Sequence, residues 1–229
     1  MNKTIFITGA NKGIGFELCK IFLKENNFNV IALSRNINNL MNLKGYEKLK
    51  IIQMDLEKYS ASKLLDETNE FSQIDILINN AGTLVNKNFN DININEWQKM
   101  FEVNLFAPVK VIRDLYPKLK NSGSAHIINI GSMGGFQGSS KFSGLSAYSS
   151  SKAALANLSE SLAEEFRSDN IKVNCLSLGS VKTEMFMKAF PGLSTDTTSE
   201  EIAEFIYNFA LCGNSFMNGK VLPVSLTTP

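Results

Sequence analysis

The sequence is poor in the residues that build metal sites and disulfide frameworks. It has one histidine and three cysteines in 229 residues, and Cys19, Cys175 and Cys212 stand far apart with no CxxC pairing. That spacing argues against a structural zinc site and a disulfide-stapled fold, and it predicts three buried thiols in a reducing compartment. No metal is expected, and His126, at the head of a strand-like run, reads as a structural residue. An excess of one charge is lacking too: 23 Lys and Arg face 22 Asp and Glu, a formal net charge of +1. Such a balance gives no electrostatic reason to expect nucleic acid or an anionic membrane as partner. No apolar run approaches the roughly 18 residues of a membrane helix. The N-terminal run Thr4-Ile5-Phe6-Ile7-Thr8-Gly9 is too short for a signal-peptide core. The expectation is a soluble, cytoplasmic protein with a small-molecule partner.

What is present is a regular alternation. Short Ile/Leu/Val runs at 4–8, 28–34, 49–54, 74–79, 125–131, 171–177 and 220–224 are separated by segments of helical period. This is the pattern of βαβ units feeding a parallel sheet covered on both faces. The whole chain, 1–229, fits one α/β domain of Rossmann type: a doubly wound, seven-stranded parallel sheet flanked by helices. Ile14, Leu18, Ile21 and Phe22 form one helical stripe, and Leu155, Leu158, Leu162 and Phe166 another. A helix over about 95–120 carries Trp97, Phe101, Leu105 and Val109, with Pro108 predicting a kink near its middle. The Gly/Ser-rich stretch 131–146 lies between a strand and a helix and reads as an active-site loop.

The first strand runs into Thr8-Gly9-Ala10-Asn11-Lys12-Gly13-Ile14-Gly15 and then a helix. Glycines at such a turn let the backbone approach a pyrophosphate, and the helix N-terminus offers free N–H groups and a positive dipole end. Where NAD enzymes of this fold keep an acidic residue after the second strand, this chain has Ser34 and Arg35. Those two, with Lys12, suit a 2′-phosphate and predict NADP(H) rather than NAD(H). Downstream, Tyr148 and Lys152 are four residues apart at the start of a helix, hence on one face. Reducing a carbonyl needs a proton donor, and bringing a phenol from a pKa of about 10 toward neutrality takes roughly 4 kcal/mol. One ammonium about 4 Å away supplies that much at an effective dielectric near 20, so Lys152 is expected to lower Tyr148.

The TGxxxGxG spacing, Asn79-Asn80-Ala81-Gly82, Ser132 and YxxxK together resemble the short-chain dehydrogenase/reductase family over nearly the whole chain. The resemblance implies an oxidoreductase with a catalytic set of Asn104, Ser132, Tyr148 and Lys152, in which Asn104 bends a helix and holds a water relay. It implies cofactor contacts from Thr8, Gly9, Asn11, Lys12, Gly13, Ile14 and Gly15, then Ser34, Arg35, Asp55 and Leu56. Further contacts fall on Asn80, Ala81, Gly82, Tyr148, Lys152, Gly179, Val181 and Thr183. Ser132 and Tyr148 are farther apart than in many members, which points to a short insertion in the loop, and Leu178-Gly179 replaces the usual Pro-Gly. Residues 184–200, with Met185, Phe186 and Phe190, read equally as a substrate lid or as a packed helix. The implied function is NADPH-dependent reduction of a ketone, aldehyde or 3-oxoacyl thioester by a homodimer or homotetramer. An NADP(H)-binding redox sensor and an NAD-dependent alcohol dehydrogenase are the alternatives.

Overall fold

The computed structural model describes residues 2–25 and 27–226. Seven strands form one parallel sheet in the order β3-β2-β1-β4-β5-β6-β7. They are β1 (Lys3–Thr8), β2 (Phe28–Ser34), β3 (Leu49–Gln53), β4 (Ile76–Asn79), β5 (His126–Ile130), β6 (Lys172–Leu178) and β7 (Val221–Val224). The chain builds outward from β1 to β3, returns, and builds the other way from β4. The carboxyl ends of β1 and β4 therefore form the switch point where open α/β sheets bind ligands.

Every residue of β4 and β5 is buried. The cover on one face comes from α1 (Gly13–Lys24) and α7 (Ser199–Cys212), and on the other mainly from α4 (Ala107–Asn121) with part of α5 (Ser146–Glu165). Phe22 on α1 sits edge-on to Phe28 and Tyr207, with ring centroids 5.1 and 5.0 Å apart. Burying one such aromatic contributes about 1.5–3 kcal/mol. Polar side chains link the sheet to α5: Asn79 donates to Asn129 and Asn129 to Ser159, each at 2.8 Å. His126 is enclosed between Asn174 and the Ala210 carbonyl, and burial lowers its pKa to about 4, so it is a neutral structural ring.

Three expectations shift. Strand β4 begins at Ile76 rather than at 74, because the Asp75 carboxylate itself accepts the Thr4 N–H at 2.7 Å and takes a ladder position. The helix expected over 95–120 is α3 (Ile94–Phe101), a π turn at Glu102–Phe106 and α4. The break thus precedes Pro108, which lies in the first turn of α4 where a missing N–H costs nothing. Cys19 and Cys175 are buried, but Cys212, in the last turn of α7, is exposed, its thiol donating to the Asn208 carbonyl. Among the described residues no helix is long and apolar enough to cross a membrane.

Candidate active site

Helix α1 opens without a side-chain cap and with no acidic residue in its first turn. Its leading N–H groups are left for an anion, and Gly13 and Ile14 line the cleft they face. Gly9 and Gly13 adopt φ of 68° and 54°, a region that side chains disfavour. Gly15 is needed for space: a β-carbon there would lie 2.5 Å from the Gly9 carbonyl oxygen. Several residues expected to touch a cofactor also hold this turn together. Thr8 Oγ1 accepts from the N–H groups of Asn80 and Ala81 at 3.1 and 3.0 Å, and Asn80 Nδ2 donates back to the Thr8 carbonyl at 3.0 Å. Asn11 is buried, its Oδ1 accepting the Asn39 N–H at 2.9 Å. These short polar side chains complete backbone bonding at the switch point, leaving the backbone of Ala81 and Gly82 to line the cleft.

At the far end, the Arg35 guanidinium lies 4.0 Å from Asp55 and 3.7 Å from Glu57, and Glu57 also pairs with Lys99 at 2.8 Å. Asp55 additionally accepts the Glu57 N–H, and Leu56 is buried behind it. Ser34, Arg35, Asp55 and Leu56 all line the same cleft as the glycine turn. Sequence reading missed Glu57 and Lys99, since isolated charges outside any motif give no signal.

The catalytic set converges from three elements. Ser132 follows β5, its Oγ accepts the Gly134 N–H at 3.2 Å, and it lines the cleft beside Tyr148 on the first turn of α5. Burial pushes the phenol above its ordinary pKa and the Ser132 contact draws it partly back. This reverses the expected lowering by Lys152. The physical reason is in the geometry: Lys152 Nζ donates to the Ile130 carbonyl at 2.7 Å, and burial lowers its own pKa to about 8. Ser139 Oγ donates to the Met133 carbonyl, and Ser146 Oγ is buried. Gly135 lets the loop after β5 lie against α5, because a β-carbon there would come within 2.6 Å of the Ala153 nitrogen.

Asn104 sits fully buried inside the π turn. Its Oδ1 accepts the Thr83 N–H at 2.8 Å, while Nδ2 donates to the Thr83 carbonyl at 3.0 Å and to Ser151 Oγ at 2.9 Å. The bend implied by the resemblance is present, but the amide is spent on Thr83 and Ser151, which makes Asn104 a clamp between the loop after β4 and α5. Gly82 keeps the space beside it open: a β-carbon at Gly82 would lie 3.5 Å from Asn104 Oδ1 and 3.6 Å from Lys152 Nζ.

On the substrate side, α6 (Glu184–Ala189) has no buried residue, and Met185, Phe186 and Phe190 line the cleft opposite Leu84, Phe142 and Leu145. The expected lid segment also contains the first two residues of α7. Gly179 is fixed without its proline partner by donating to the Val224 carbonyl at 2.9 Å, Val181 is buried, and Thr183 Oγ1 caps α6 by accepting the Phe186 N–H at 3.1 Å. Replacing Phe186 with Ala should change kcat/KM for bulky substrates about tenfold while leaving nucleotide affinity and Tm near wild type. An equal loss for all substrates with earlier melting would place the ring in the core instead.

A doubly wound sheet with a phosphate-type turn and a serine–tyrosine–lysine set at one edge has the parts of a dinucleotide-dependent oxidoreductase. The chain belongs to the short chain dehydrogenase family, whose model matches residues 3–194. It is 33% identical over 189 residues to an uncharacterised oxidoreductase of Bacillus subtilis (strain 168), YvrD, covering 80% of this chain and 70% of that protein. The solved structure of 4-hydroxyisoleucine dehydrogenase complexed with NADH superposes with a TM-score of 0.85 at 30% identity, covering 98% of this chain and 97% of the other. ElxO with NADP bound superposes at 0.84 with 27% identity, covering 98% and 97%.

Proposed function

We propose that this protein is a cytoplasmic NADP(H)-dependent reductase of apolar carbonyls, in the range of ketones, aldehydes and 3-oxoacyl thioesters. The observation that carries the reading is that Ser132, Tyr148 and buried Lys152 line one cleft together with the glycine turn. A nicotinamide dinucleotide suits the uncapped N-terminus of α1, the positive-φ glycines and a cleft of about 2010 Å³, and when bound it supplies the hydride. The chain's residues do the rest. A phenol held above its ordinary pKa keeps its proton at neutral pH, which is the form a reduction needs. Ser132 Oγ orients that phenol and donates to the developing alkoxide. Lys152 presents a cation from inside the fold, its Nζ held by the Ile130 carbonyl. The apolar wall of Leu84, Leu145, Phe186 and Phe190 selects the substrate's body and excludes water.

Lys12 and Arg35 support NADP(H), since a 2′-phosphate offers both a better partner than a ribose hydroxyl does. Among similar proteins both cofactors occur, NADH with 4-hydroxyisoleucine dehydrogenase and NADP with ElxO. Arg35→Asp would gather a third carboxylate beside Asp55 and Glu57. It should weaken NADPH binding about tenfold or more with a much smaller effect on NADH. Equal wild-type affinities for the two, or an unaffected variant, would remove the assignment. The same reading has two or four copies pairing through the long helical segment from α3 to α4 and through α5; Phe106 in the π turn is 47% exposed beside Trp97 and Phe101 of α3. A panel of carbonyls followed by NADPH absorbance tests the whole proposal: tight NADPH binding with no turnover on a broad panel would favour a sensor over an enzyme.

A further inference from the structure

The fold joins Lys12 and Glu184 across the mouth of the cleft. Lys12 ends the glycine turn, Glu184 begins α6, and their Nζ and Oε2 are 2.6 Å apart. The contact is not a lone surface pair, because α6 is seated on this turn: a β-carbon at Gly13 would meet Thr183 Cγ2 at 3.5 Å. The other end of α6 is tied as well, with the Ala189 carbonyl accepting from Asn86 Nδ2 at 2.8 Å. A helix bearing the substrate wall thus spans from the phosphate-binding turn to the loop after β4. Of the two cations suited to a 2′-phosphate, Arg35 stands 3.7 and 4.0 Å from its carboxylates, while Lys12 is in direct contact with its own.

We propose that Glu184 is a specificity-determining residue that competes with the cofactor's 2′-phosphate for Lys12, so that NADP(H), and not NAD(H), frees the first turn of α6. The inference rests on the cofactor reading above. Lys12 cannot satisfy both anions without cost. If it turns wholly to the phosphate, Glu184 loses its partner, and if it spans both, a carboxylate and a phosphate are held close together and repel. Either way Glu184 opposes a 2′-phosphate and is indifferent to a 2′-hydroxyl. The side chains are 57% and 68% exposed, and exposed pairs are weak, so the effect is about two- to fivefold in affinity.

The test is an equilibrium titration of wild type, Glu184→Gln, Lys12→Met and the double variant with NADPH, NADH, 2′,5′-ADP and 5′-AMP. Glu184→Gln should tighten NADPH and 2′,5′-ADP about two- to fivefold, leave NADH and 5′-AMP unchanged, and lose its effect when Lys12 is Met. Equal gains for all four ligands, a gain that persists in the double variant, or no gain overturns the proposal. Trypsin should cut after the exposed Lys188 in α6 faster with 2′,5′-ADP than with 5′-AMP, and equal rates overturn the release of the helix. The two readings fail separately. A wild type indifferent to NADPH over NADH, with a Lys12-dependent gain in Glu184→Gln, sinks the cofactor assignment and supports the role of Glu184. A wild type that prefers NADPH, with a neutral Glu184→Gln, sinks only Glu184.

Discussion

Tyr148→Phe should lower carbonyl turnover by about 10²–10⁴-fold or more while the fold and NADPH affinity stay near wild type. The ring is kept, so packing on the first turn of α5 changes little. What is lost is the proton that burial holds on the oxygen and the hydrogen bond from that oxygen to the alkoxide. Ser132 is then left to polarise the carbonyl alone, and it has no spare acidity to replace the donor. Circular dichroism and an NADPH titration check the first half of the expectation, and single-turnover reduction on an active substrate checks the second. A variant that reduces carbonyls as fast as wild type would show that the proton comes from elsewhere.

Lys152→Met should be the other severe variant, with turnover down by about two to three orders of magnitude. Methionine keeps most of the buried stem but removes the charge and the donor to the Ile130 carbonyl at 2.7 Å. Because the carbonyl loses a buried partner, Tm should drop by a few degrees as well. A pH profile separates charge from packing. Burial lowers this lysine from an ordinary value of 10.5 to about 8, so the cation is complete below that point and is lost as pH rises through it. Wild-type kcat/KM for NADPH, which reports ionisations of the free enzyme, should be flat below about pH 8 and fall about tenfold per unit above it. Lys152→Met should lack that descending limb. A wild-type profile that rises through this range would mean that the neutral amine is the working form.

The strands were legible because burial on both faces leaves continuous runs such as Ile76-Leu77-Ile78, and the glycine turn because backbone conformation demands those residues. Helix α7 was not read, although Thr198 and Glu201 form a reciprocal capping box that marks its start in the sequence. The positions of Ser132, Tyr148 and Lys152 were legible from spacing, whereas the sign of the Tyr148 shift was not. Spacing gives a lysine one turn away, but only three-dimensional packing shows its ammonium committed to Ile130 and the phenol losing solvent. Thr8, Asn11 and Asn80 illustrate a related limit. A residue in a ligand-binding motif is selected as readily for bracing the motif as for touching the ligand, and letters alone do not separate the two.

The clamp made by Asn104 has a mechanical consequence. By holding both backbone groups of Thr83 and, through Ser151, the turn that carries Tyr148, it welds the loop after β4 and the head of α5 into one block. That bank of the cleft carries Tyr148 and the wall of Leu84 and Leu145. The opposite bank is α6, which is tied to the glycine turn through Lys12 and Gly13 and to the loop after β4 through Asn86. Tyr148 therefore keeps its position relative to the loop after β4 whichever part of the cleft a substrate fills.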